Sequence, residues 1–255
     1  MANEIQLKFG SLDLDVTNNV AVGSIEVKEQ KSVKTTAIPK TDGSIAETAR
    51  RMAITISMAG DISGSDFDDL RGNIDGFKAV LQAGLQKFTI DDDRYIYAQL
   101  KDFSYSYKTL RTFARWSAAF VAHYPYWQAE VASSDVRTPV SAETYALSNP
   151  GNAPARVKIT LTNGGTSIVD DIRIDNVTNG QAMQYRGTLL GTQVLEIDNR
   201  YDTDDLQILN NGADAIVDFE GDFLELAAGT NYIKFTGAAA ATVPEIAMYW
   251  RGTWY

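Results

Sequence analysis

Alternation of apolar and polar residues, the mark of a half-buried strand, recurs along most of this chain and gives way once to a helical period. Near the C-terminus, residues 223–226 read as a short strand, 227–230 as a turn and 231–235 as the returning strand. Gly229 supplies the positive φ that a tight reversal needs. Beyond Pro244 a final strand places Ile246, Met248 and Trp250 on one face and Ala247, Tyr249 and Arg251 on the other. A strand this aromatic is expected to pair inside a sheet, because an open edge carrying Trp and Tyr invites association.

At the other end, Ile5, Leu7 and Phe9 alternate with polar residues, and Leu12, Leu14 and Val16 do so after Gly10-Ser11, which predicts two short strands across a turn. Residues 29–51 change character. Lys31, Lys34, Lys40, Arg50 and Arg51 are scattered among Thr and Ser, with Pro39 and Asp42-Gly43 as punctuation, and the stretch reads as an exposed loop or a hairpin arm. Connections of this length are often functional or become ordered against a partner. Met52, Ile54, Ile56 and Met58 then share one face of a strand ending at Gly60.

The helical period follows, over about 66–85. Ser65 with Asp68 three residues on reads as a capping box, Asp66 and Asp69 suit the positive end of the helix dipole, and Phe67, Leu70, Ile74, Phe77, Leu81 and Leu85 form one apolar stripe closed by Gly84 and Lys87. Strands resume at 87–90, turn at Asp91-Asp92-Asp93 and continue over 95–103. A further strand spans 113–123, with Trp116, Ala118, Phe120 and Ala122 on one side. Pro125 and the polar run 132–139 suggest a boundary, giving an N-terminal domain over 1–135 and a C-terminal domain over 136–255. The second half shows no long helical pattern. It offers strands around 156–161, 168–174, 183–186, 194–197, 206–209 and 215–219, separated by Asn-Gly turns, which indicates a jelly-roll or lectin-like sandwich.

Composition narrows what such a chain can do. Its 255 residues, 44% hydrophobic, can bury a core without staples. There is no Cys, which excludes disulfides, thiolate nucleophiles and cysteine-ligated metal centres. The first residues lack the pattern of a secretory signal, no segment approaches a membrane span, and synthesis in the cytosol is expected. A formal charge of -10 argues against free nucleic acid or an anionic membrane as the main partner.

Candidate chemistry is sparse. The single histidine, His123, has no second His or Cys to complete a metal site, and reads as an ordinary packed or surface imidazole. No nucleophile elbow, Walker or dinucleotide motif occurs. Paired carboxylates could serve a glycosidase, and the candidates are Asp91-Asp92-Asp93, Asp202-Thr203-Asp204-Asp205, and Glu220 with Asp222. All sit at expected hairpin ends, where exposed loop acids are the simpler account, and Asp202 to Asp205 lack the twelve-residue loop of a calcium site. Trp250, Trp254, Tyr249 and Tyr255 raise sugar stacking. Alternation puts Trp250 with the core, and Trp254 stays open as a ligand-facing aromatic.

The order and spacing of several segments resemble the phage distal tail protein (Dit) family of long-tailed siphophages. In the first half these are Arg50-Arg51-Met52-Ala53-Ile54-Thr55-Ile56, the helix ending near Gly84-Leu85, and Arg94-Tyr95-Ile96-Tyr97-Ala98-Gln99-Leu100. In the second half they are Asn149-Pro150-Gly151-Asn152-Ala153-Pro154-Ala155, Ile174-Asp175-Asn176-Val177-Thr178-Asn179-Gly180, Leu195-Glu196-Ile197-Asp198, and Phe223-Leu224-Glu225-Leu226-Ala227-Ala228-Gly229-Thr230-Asn231 with Trp250. Ala228 departs from the pattern, where a proline is more typical.

The resemblance covers the whole chain. It implies a mainly β protein: an N-terminal β domain with one helix and a protruding arm at about 30–50, and a galectin-like C-terminal sandwich. It implies a homohexameric ring at the tail tip of the virion, placed between the tail-tube protein and the tail-tip hub or tail fibre protein, with receptor-binding protein as a further partner. No catalysis, cofactor, metal, nucleic-acid binding or membrane contact is expected. Within the arm, Lys34, Ile38, Lys40 and Ile45 are the expected oligomer contacts. A carbohydrate-binding module with an accessory β domain is the alternative. Neither it nor a glycosidase accounts for the first half.

Overall fold

The protein is described here from a computed structural model over residues 7–14, 19–32, 35–37, 44–46, 50–91, 93–108, 112–138, 142–165, 168–200, 206–236 and 245–255. Two compact units, Met1–Trp127 and Gln128–Tyr255, each enclose their own hydrophobic cluster. The fold is mainly β.

In the N-terminal unit the strands run antiparallel in the order Leu12–Asp13, Lys8–Phe9, Gln86–Asp91, Arg94–Tyr107, Phe113–Ala122, Ile54–Ser63 and Val20–Lys28. The opening turn forms as the alternation predicts, with Gly10 at φ 59°, while Ile5 and Val16 lie outside the described residues. Strict alternation in Ile54–Ser63 and Phe113–Ala122 buries Ile54, Ile56, Met58 and Ile62 beside Ala114, Trp116, Ala118 and Phe120 on one face. Met52 stands outside that strand and is exposed.

The helix covers this face over Phe67–Leu81 and buries Leu70, Ile74, Phe77 and Leu81, each worth about 1.5–3 kcal/mol of transfer from water. Phe77 meets Phe103 and Trp116 edge-on, at 5.9 and 4.9 Å between centroids. The predicted stripe is right in its middle, but Phe67 and Leu85 are exposed at its ends. The cap lies one residue later than expected. Asp66, not Ser65, is extended at φ -145° and accepts from the Asp69 amide at 2.8 Å. Asp69, not Asp68, reaches back to accept from the amide and hydroxyl of Ser65 at 2.7 and 3.0 Å. The two aspartates therefore act as acceptors at this end, and Ser65 donates to Asp69 instead of capping.

Val20–Lys28 is a strand that the pattern hides. Val20 and Val22 alternate, then Ile25 and Val27 alternate out of phase, because a bulge between Val22 and Ser24 shifts the register against Ile54–Ser63. Gly60 lies opposite Val22. A side chain there would place Cβ 1.8 Å from the Ala21 carbonyl oxygen, so only glycine lets the bulged strand approach.

The C-terminal unit is a sandwich. One sheet runs Ser133–Arg137, Glu245–Trp250, Ala155–Thr162, Val194–Asp198, Gln207–Asn210, Ala213–Asp214, with Glu225–Leu226 also on Ala155–Thr162. The other runs Thr144–Asn149, Gly229–Thr236, Ile172–Asn176, Gln181–Tyr185, Phe219–Gly221. Their inward side chains, including Leu147, Val157, Ile159, Ile174, Met183, Phe235 and Met248, make one core.

The closing strand pairs on both edges, and Trp250 is 4% exposed, as its alternation implies. Three expectations change. The segments flanking Gly229 do not form a hairpin: Glu225–Leu226 pairs with Ala155–Thr162, whereas Gly229–Thr236 joins the opposite sheet, so this turn is a corner between layers. The polar run 132–139 holds a strand, Ser133–Arg137, whose polarity suits an edge position. The stretch 215–219 is a 3-10 turn, Ile216–Asp218, set by the Asp214 carboxylate accepting from the Ile216 amide at 3.1 Å.

Candidate functional site

The informative places among the described residues are an arm and the two ends of the sandwich. The arm grows out of the hairpin Val20–Lys28 and Ile54–Ser63. Met52 donates to the Gln30 carbonyl at 2.9 Å, Lys31–Ser32 pairs with Arg50–Arg51, and Thr35–Ala37 pairs with Ser44–Ala46. Its base is held by Arg51, 3.4 Å from the Glu29 carboxylate and stacked 5.8 Å over the Tyr126 ring. Among the described residues the ladder beyond this base joins no other strand. Ile45 lies opposite Thr36 in the backbone register, and its side chain is outside the described residues, as are Lys34, Ile38 and Lys40.

One end of the sandwich is closed by asparagines from the very segments that carry the family resemblance. Asn149 donates to the carbonyls of Ala153 and Leu226 at 2.8 and 3.1 Å and accepts from the Gly151 amide at 3.0 Å. Asn231 donates to the carbonyls of Ala227 and Gly229 and accepts from the Ala227 amide and from Asn176. Asn176 and Asn179 each donate to the Glu225 carbonyl at 2.8 Å. Asn149, Asn176 and Asn231 are buried, so these bonds satisfy backbone groups that the corner turns leave without ladder partners.

The same loop straps the C-terminus. Thr253 donates from its hydroxyl to Pro154 O at 2.7 Å, Tyr255 donates to Asn152 Oδ1 at 2.8 Å, and a Cβ on Gly151 would fall 1.9 Å from the Thr253 carbonyl oxygen. Trp254 is half-buried next to Gly252 in this strap. In the sequence Asn149, Asn176 and Asn231 stand out only as members of the segments that carry the resemblance, and Asn179 as part of an Asn-Gly turn. That they are buried and reach across layers needed the fold.

Electrostatics in the C-terminal unit is mostly pairing. Asp198 is buried, which alone would raise its pKa, but the Arg200 guanidinium at 2.8 Å, the Arg200 amide and Lys158 outweigh burial and hold it below the usual 3.8. Burial pushes the Tyr145 phenol well above its usual range, while Arg137, bonded to Asp135, stacks 4.5 Å over the ring.

The other candidates scatter. His123 is exposed and 2.8 Å from Gln99. Asp91 lies opposite Arg94, Glu220 is 2.7 Å from Arg186, and Asp222 is exposed. Asp92 and Asp202 to Asp205 fall outside the described residues. No group of three or more potential metal ligands gathers among those described, and no described helix is long and apolar enough to cross a membrane.

Comparison with known proteins supplies the frame for this geometry. Residues 150–254 match the family described as siphovirus-type tail component, C-terminal domain. No curated protein matches the sequence. Among solved structures, the Dit protein (gp 19.1) of phage SPP1, described as a paradigm of the hub adsorption apparatus in phages infecting Gram-positive bacteria, aligns with a TM-score of 0.75 at 13% identity. That alignment covers 97% of this chain and 98% of that one. A chain of the phage p2 baseplate in its activated conformation aligns with a TM-score of 0.50 at 8% identity over 98% of both chains. Residues 150–254 thus carry the sequence pattern of the siphovirus-type tail component family, and the chain follows the fold of the SPP1 Dit protein over nearly its whole length.

Proposed function

We propose that this protein is a structural subunit of a siphophage tail tip, working as a hexameric ring at the distal end of the tail. In this reading the ring joins the tail-tube protein to the tail-tip hub or tail fibre protein, the C-terminal sandwich offers an attachment point for receptor-binding protein, and no catalysis is involved. The observation that carries it is the whole-length likeness in fold to a protein of a phage adsorption apparatus, over 97% of this chain.

Two features support a ring in particular. The described part of the arm is a two-stranded ribbon, Thr35–Ala37 with Ser44–Ala46, and such a ribbon is marginal in water unless a neighbour covers it. A head-to-tail contact that closes on itself satisfies every arm without leaving a free end. Native mass spectrometry of the chain at micromolar concentration tests this. Six copies of the 28.0 kDa chain are expected, and a monomer at all concentrations counts against the ring.

A further inference from the structure

The sandwich end opposite the asparagine latches has a buried asparagine of its own, Asn163, which donates to the Leu189 carbonyl at 3.0 Å, but it also exposes aliphatic side chains. We infer that the loops 168–171, 186–193 and 211–218 form a docking surface for a second protein of the tail tip, one whose contact face carries apolar side chains rimmed by Lys and Arg. This rests on the tail-tip reading above.

The loops are tied into one surface. Val169 and Leu189 exchange backbone hydrogen bonds at 3.0 and 2.8 Å with both side chains buried, so the next pair out, Ile168 and Leu190, lie opposite one another and face outward. Their exposures are 55% and 47%. On the other side, Arg186 donates to the Asp218 carbonyl at 2.8 Å, and Asn210 donates to the Thr188 carbonyl at 3.0 Å. This brings in the turn that bears Ile216, 43% exposed, and Val217, 87% exposed, the most exposed large hydrophobic among the described residues.

The fold does not need these aliphatics. The turn is anchored by the Asp214 carboxylate and by Ala215, which is buried. Grouped apolar exposure at one end of a domain, rather than single scattered residues, marks an interaction surface.

Charge selects the occupant. Asp170, Asp171, Asp214 and Asp218 lie in the same loops as the aliphatics, and the sole basic side chain of these loops, Arg186, is paired with Glu220 at 2.7 Å. The whole unit Gln128–Tyr255 has 17 acidic and 8 basic side chains, and Arg137, Arg156, Lys158, Arg173, Arg186 and Arg200 are in ion pairs. The uncompensated acids favour a Lys/Arg-rimmed partner and disfavour nucleic acid. A sugar is disfavoured too, since Tyr185 beside these loops is buried and Phe219 is half-buried and stacked on Phe223 at 4.6 Å.

Because the chain has no Cys, a single introduced thiol reports cleanly. Phage particles carrying Val217→Cys, and in parallel Val177→Cys at the opposite end of the strand Ile172–Asn176, are reacted with a maleimide, as are the same variants purified alone. Cys at 217 is expected to react about ten-fold or more slowly in the particle than alone. A benzophenone-maleimide placed there is expected to cross-link to a different virion protein through a peptide containing Lys or Arg.

Val217→Asp should leave the fold intact by circular dichroism and reduce that protein in the particles by about ten-fold or more. Equal reaction rates, a cross-link only to another copy of this chain, or full retention of the partner by the Val217→Asp particles would overturn the inference. Absence of the chain from purified particles by mass spectrometry would instead sink the tail-tip reading itself.

Discussion

At the scale of single residues, the sandwich depends on buried asparagines that no local pattern singles out. Asn231 fills four hydrogen-bonding roles around one corner. Asn231→Ala removes the partners of the half-buried Ala227 amide and carbonyl and one bond of the buried Asn176, and is expected to cost about 3 kcal/mol, read as a lowered urea midpoint. An unchanged midpoint would mean that water replaces these bonds.

Asp198 gives a pH signature. Its folded pKa is depressed, so the stability it contributes is present above the unfolded value, about 3.9, and is lost as pH falls through the folded pKa. Asp198→Asn should therefore cost about 1–2 kcal/mol at pH 7 and progressively less as the pH drops below 4. A penalty independent of pH would show that the amide merely packs badly.

At the scale of elements, the helix was legible because Leu70, Ile74, Phe77 and Leu81 repeat at its period. The exact cap was not. Three acidic residues and a serine compete at its start, and only the extended backbone of Asp66 decides among them. Val20–Lys28 was missed because alternation assumes an unbroken pleat, and a bulge moves the inward face by one residue. Composition alone marks the arm as a loop or hairpin, and its described residues pair as Lys31–Ser32 with Arg50–Arg51 and Thr35–Ala37 with Ser44–Ala46. What it contacts is a property of the assembly. Deleting residues 33–48 should leave both units folded, with near-normal thermal unfolding, and abolish the six-copy species in native mass spectra. Continued ring formation by the shortened chain would move the oligomer contact elsewhere.

For the molecule as a whole, charge and core divide differently. Met1–Trp127 carries 15 basic and 16 acidic side chains, whereas nearly all the net negative charge lies in Gln128–Tyr255. Each unit has its own core, and the sandwich needs its first two strands. Ser133–Arg137 covers the edge of the closing strand, and Thr144–Asn149 covers that of Gly229–Thr236 and contributes Tyr145 and Leu147 to the core. A fragment of residues 128–255 is expected to unfold cooperatively as a soluble species. A fragment of residues 150–254, the extent of the family match, should aggregate through two bared edges. Equal solubility of the two fragments by light scattering would show those strands to be dispensable.

By itself the sequence determined the β class, the one helix, the inward face of most strands and the absence of thiol chemistry, because each follows from local period or composition. It also carried the order of segments that resembles the Dit family. Tertiary structure alone decided that the Gly229 turn joins two layers, that Asn149, Asn176 and Asn231 are latches, and that Ile168, Leu190, Ile216 and Val217 are exposed on loops tied together at one end. A side chain's neighbours across a sandwich are many residues away along the chain, and no local pattern encodes which of them it will face.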